Sequence, residues 1–112
     1  MSGISTHILD TARGCPADGV PVKLERQTSY GWTVLGSGRT DADGRVRNLT
    51  SGAALEVGVH RISFEVQVYH DRLDIEGFYP RASIEFNVRD ASAHFHVPLL
   101  LSPFGFSTYR GS

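Results

Sequence analysis

The chain has 112 residues, 40% of them apolar and 21% charged, with a net charge of −1. That length predicts one domain with one core, and that composition excludes disorder. No run of Lys and Arg offers a nucleic-acid or anionic-membrane surface, and no apolar stretch nears the ~20 residues of a membrane span.

The opening segment ISTHILD reads as a strand, with His7 on the side of Ser5 and Leu9. Upstream residues lack the basic and apolar regions of a signal peptide, so none is expected. ARGCPADG is a loop and holds Cys15, the one cysteine. No intrachain disulfide or Cys-based zinc cluster can form, and a cytoplasmic home is expected. Nothing near Cys15 in the sequence would lower its pKa, so it is a poor nucleophile. VPVKLER places Val20, Val22 and Leu24 on one side of a second strand, and YGWTVLGSG reads as a third. TDADGR turns at Asp43-Gly44, and Arg45 follows the turn.

RISFEVQV sets Ile62, Phe64, Val66 and Val68 against Arg61, Ser63, Glu65 and Gln67, which predicts a strand through residue 68. VYHDRLDIEG breaks the alternation. Tyr69, Leu73 and Glu76 sit there at helical intervals and predict one short helix. ASIEFNV is another strand. HFHVPLLL puts Phe95, Val97, Leu99 and Leu101 on one face, and His94, His96, Pro98 and Leu100 on the other. Proline cannot donate to a ladder, so Pro98 predicts an edge strand or a bulge. An apolar edge invites pairing with a second chain, which makes a homo-oligomer the expectation. Turns recur about every 8–15 residues, so the fold class is all-β: a sandwich or barrel with one short helix.

Four side chains and one segment could carry chemistry. His94 and His96 share a face, and so could form half a zinc site, supply an acid or base, or be surface histidines. His7 fits a structural or a functional role, as does Arg45 beyond its turn. The terminal Tyr109-Arg110-Gly111-Ser112 continues from Phe104 and Phe106, unlike a frayed tail. No nucleotide loop, nucleophile elbow or HExxH motif occurs.

Taken together, THILDTARGCPADGVPV, TDADGR and HFHVPLLLSPFGFSTYRGS resemble the transthyretin-related family over nearly the whole chain and in family order. The terminal Y-R-G-S tetrapeptide places the resemblance with its hydrolase branch rather than its hormone carriers. The resemblance implies a two-sheet, eight-stranded sandwich with one short helix. It also implies a homotetramer with active sites at the dimer–dimer interface. The implied activity is hydrolysis of a small-molecule substrate, 5-hydroxyisourate, without metal or other cofactor. Its motif residues fall on His7, Arg45 and His96, where the carriers have Lys, Glu and Thr. Tyr109, Arg110, Gly111 and Ser112 match the part of the motif that forms the substrate pocket. Phe95 and Phe106 stand where relatives often have Tyr, and His94 is expected to support His96.

Overall fold

A computed structural model describes residues 3–50 and 52–112. The strands are β1 (Gly3–Asp10), β2 (Cys15–Pro16), β3 (Pro21–Thr28), β4 (Gly31–Arg39), β5 (Arg45–Val46), β6 (Gly58–Phe64), β7 (Ala82–Val88), β8 (His94–Ser102) and β9 (Gly105–Thr108). One helix, α1, spans Val66–Arg72. The first sheet runs β2-β1-β8-β9, with β5 also pairing β1; the second runs β4-β3-β6-β7. This is the expected two-sheet sandwich. Two of its segments, β2 and β5, are only two residues long.

The alternation read from sequence sorts the two faces. Ile4, Ile8, Val97, Leu99 and Leu101 of the first sheet close on Val22, Leu24, Ile62 and Phe64 of the second, all buried. Fully burying one such side chain stabilises the fold by about 1.5–3 kcal/mol, so these facing stripes hold the sheets together. Their odd-numbered neighbours on β1 and even-numbered neighbours on β8 therefore lie on the outer face of the first sheet.

Two expectations need correction. Alternation carried a strand through Val68, but β6 ends at Phe64 and α1 begins at Val66. The helix buries Val66, Tyr69 and His70, spaced at 3.6-residue periodicity, while Val68 is left half exposed. Tyr69 is anchored further: its hydroxyl donates to Asp10 Oδ2 at 2.7 Å and accepts from Arg13 at 3.0 Å. Tertiary burial here overrides the weak helix propensity of the two valines. Glu76, counted among the helical positions, lies beyond the helix.

The strand containing Pro98 is not an edge. β8 sits between β1 and β9. The His96 carbonyl accepts from Gly111 N–H at 2.8 Å, so His96 faces the terminal segment, and Pro98, two residues on, faces it too. The missing N–H thus points at the C-terminal segment, and the ladder breaks there. β9 stops at Thr108, pairing resumes as a single bridge at His96–Gly111, and Thr108 Oγ1 donates to the Pro98 carbonyl at 2.7 Å.

Candidate active site

β1 and β8 run parallel and in register, Ser5 opposite His96 and His7 opposite Pro98. Across the other edge of β1, β5 pairs Arg45 with His7. Neighbouring strands lie ~4.8 Å apart and alternate residues ~6.7 Å apart, so His7, Arg45 and His96 occupy adjoining positions on one face. That face is the outer one of the first sheet.

Arg45 is placed by its turn. Asp41 Oδ1 accepts from the Asp43 and Arg45 N–H groups at 2.9 and 3.0 Å, and these bonds, Arg45's first, hold its carboxyl below the usual range. Gly44 has φ 75°, and a Cβ there would meet the Ile8 carbonyl oxygen at 2.6 Å. Only glycine lets this turn dock against β1, where Ile8 N–H donates to the Gly44 carbonyl at 2.8 Å.

His96 is held on both sides. Its Nδ1 lies 2.9 Å from Ser5 Oγ. A Cβ on Gly111 would sit 2.6 Å from its Cδ2, so the ring packs directly on the glycine backbone. Its Nε2 has no hydrogen-bond partner among the described residues and is not buried. Burial, then the charge of Arg45, then His7 and His94, push its pKa below the ordinary 6.5. These influences favour the neutral ring, whose free nitrogen lone pair can accept a proton.

Ser5, Thr6, Arg45, Arg47 and His96 line a cavity of about 150 Å³. A wider hollow of about 940 Å³ covers the outer face of the second sheet. Both of its carboxylates are already engaged, Glu25 by Arg61 and Glu65 by Arg81, each at 2.9 Å. It contains no histidine, whereas the smaller cavity sets His96 beside an Arg45 guanidinium that forms no ion pair among the described residues. Chemistry favours the smaller cavity over the larger one.

The terminal tetrapeptide divides. Gly111 lies against His96, and Ser112 follows it, exposed. The Arg110 guanidinium stacks over the Phe95 ring at 4.5 Å, and with Tyr109 lines a separate hollow beside Phe86 and Phe95. Arg110 thus turns away from His96 within one subunit. Among the described residues no group of three or more His, Cys, Asp and Glu could hold a metal ion. Instead of a third ligand, His94 and His96 share Ser5, whose Oγ lies 2.9 Å from His94 Nε2 as well. Sequence reading missed Ser5 and Arg47. Ser5 was findable by the same rule that linked His94 to His96, since it stands two residues from His7 on one strand face; Arg47 lies just past the two-residue β5, where that rule does not reach.

Residues 4–111 match the model of the HIUase/Transthyretin family. The chain is 44% identical over 109 residues to the 5-hydroxyisourate hydrolase of Salmonella dublin, covering 97% of this chain and 80% of that protein. The solved 5-hydroxyisourate hydrolase of Klebsiella pneumoniae superposes with a TM-score of 0.88 at 40% identity, over 100% of both chains. Transthyretin from Sparus aurata superposes with a TM-score of 0.91 at 31% identity, over 99% of this chain and 97% of its own. Backbone likeness therefore does not separate hydrolase from carrier; the side chains on the outer face must.

Proposed function

The chain belongs to the HIUase/Transthyretin family, and from that premise we propose that it hydrolyses 5-hydroxyisourate to 2-oxo-4-hydroxy-4-carboxy-5-ureidoimidazoline, a step in urate degradation. The observation that carries this reading is the cluster of two imidazoles and a guanidinium, without an ion pair among the described residues, on adjoining strand positions. Ring opening by water needs a base for the water proton, a cation for the developing oxyanion and an acid for the leaving nitrogen.

In this reading water attacks a ring carbonyl while an imidazole takes its proton. The tetrahedral oxyanion then collapses, the ring C–N bond breaks, and the nitrogen receives a proton. His96, neutral and with an accessible Nε2, suits the base, and His7 suits the acid. Arg45 offers two parallel N–H groups to a planar urate-like anion, with Arg47 adding positive field. Gly111 and Ser112 close the pocket beside His96. Metal has no part in this scheme, so turnover is expected to persist in EDTA.

The same reading makes the protein a cytoplasmic homotetramer with this face turned into the dimer–dimer interface. A 150 Å³ hollow is small beside the ~300–1,000 Å³ of ordinary ligand sites, so a second copy supplying the remaining wall accounts for the shortfall. Among the described residues no helix is long and apolar enough to cross a membrane.

The test is ultraviolet monitoring of freshly generated 5-hydroxyisourate with and without protein. Faster decay with the wild type and loss of that acceleration in His96→Ala is the expected result. Decay at the spontaneous rate with folded wild-type protein overturns the reading. A ligand-carrier role would instead give saturable binding of small aromatic ligands without turnover.

A further inference from the structure

Ser5 is almost fully buried, and its hydroxyl lies 2.9 Å from two imidazole nitrogens, His94 Nε2 and His96 Nδ1. The parallel register creates this meeting. Gly3 stands opposite His94 and Ser5 opposite His96, so β1 presents one short side chain between two rings of β8.

Proton counting constrains the arrangement. A serine hydroxyl has one proton to give and lone pairs to receive. It can donate to only one imidazole, so the other ring must donate to it. Either His96 Nδ1–H donates to Ser5 and Ser5 donates to His94, or the chain runs in reverse. In the first arrangement neutral His96 presents a lone pair at Nε2. In the second it presents an N–H there and cannot accept a proton.

The local field selects the first. Nδ1 is turned onto Ser5, and His96 lines the cavity together with Arg45. A fixed positive charge in the cavity favours the electron-rich end of the imidazole dipole toward it. His94, the more exposed ring of the two, then serves as acceptor for the Ser5 proton.

We propose that Ser5 is a positioning residue for His96: it holds the imidazole in the Nδ1–H tautomer and leaves Nε2 free to take a proton. The role rests on the hydrolase reading above. When Nε2 gains a proton, no proton leaves the His94–Ser5–His96 chain. The Nδ1–H···Oγ bond becomes charge-assisted and so stronger, and Ser5 relays the polarisation to His94. A buried carboxylate does this work in Ser-His-Asp triads; here a neutral hydroxyl backed by a second imidazole does it beside two arginines.

The experiment compares wild type, Ser5→Ala and Ser5→Thr. Imidazole ¹⁵N chemical shifts report the His96 tautomer without substrate, and steady-state kinetics on 5-hydroxyisourate report its consequence. Wild type should show the Nδ1–H form, and Ser5→Ala should lose that bias. Its kcat should fall about 10–100-fold, at or below the lower end of the ~10²–10⁴-fold that general acid–base help supplies, with KM within about twofold. The acid limb of its kcat/KM profile should move to lower pH, because the imidazolium has lost its acceptor. Ser5→Thr, which keeps the hydroxyl, should recover the tautomer and most of kcat. A wild-type Nε2–H tautomer overturns the proposal, as does a Ser5→Ala protein with unchanged kcat. Wild-type protein inert toward 5-hydroxyisourate overturns the hydrolase reading, and with it the catalytic meaning of the tautomer. That result is separable, because the shifts are measured on the free protein.

Discussion

Gly111→Ala tests how tightly the C-terminus controls the site. The added Cβ would stand 2.6 Å from His96 Cδ2, 3.3 Å from Cγ and 3.4 Å from Cβ. Carbon atoms settle at about 3.5–4.0 Å, so the ring must give by about 1 Å. The backbone cannot easily yield, because Gly111 N–H donates to the His96 carbonyl at 2.8 Å. Rotation of the ring strains its contact with Ser5. A misplacement of about 1 Å can cost about 10²-fold in rate, or about 2.7 kcal/mol of transition-state stabilisation. Stability should hardly move: Gly111 is not left-handed, and alanine restricts the unfolded chain slightly. The assay pairs kcat/KM from ultraviolet decay of 5-hydroxyisourate with the thermal midpoint. A kcat/KM within threefold of wild type refutes the steric argument. A large fall in the midpoint would move the effect from the site to the fold.

Deleting residues 109–112 removes the His96–Gly111 bridge and the Arg110–Phe95 stack but no buried core side chain, so activity should collapse while the thermal midpoint drops by only a few degrees. The pH dependence has a definite sign. Burial, first among the causes in each case, holds both His60 and His96 below 6.5 in the folded protein. The unfolded chain then binds protons more readily, so stability should fall as pH drops through about 6.5, and the acid limb of kcat/KM should lie below that value; a midpoint rising toward acid would contradict this. Tyr69→Phe removes the hydroxyl shared by Asp10 and Arg13 and should cost about 1.5–3 kcal/mol in chemical denaturation, with activity at low temperature retained. The Tyr69 hydroxyl is pushed up to about 12, so its contribution should be complete below pH 10 and lost as pH rises toward 12.

Much of this molecule was legible from residue order. Alternation located most of β1, β3, β6, β7 and β8 and told inner from outer residues, because a two-sheet core imposes period two on every strand that borders it. Asp43-Gly44 marked the turn that presents Arg45. The same local rule failed at Val66 and Val68, where alternation and helical spacing are both satisfied. Docking Tyr69 onto Asp10, 59 positions away, settled the matter for the helix. Pro98 misled in a second way: the sequence announces a missing donor but not which neighbouring strand must do without it.

The chain order by itself determined an all-β sandwich or barrel with one short helix, its alternating stripes, and a short list of imidazole and guanidinium groups. Only the tertiary structure decided that His7, Arg45 and His96 adjoin, that Ser5 joins two of the histidines, and that Arg110 turns away. The physical reason is that β1 and β8 meet in parallel across some 91 residues of chain. Their register is chosen by how two whole apolar faces close on the opposite sheet, a global condition that no local stretch encodes.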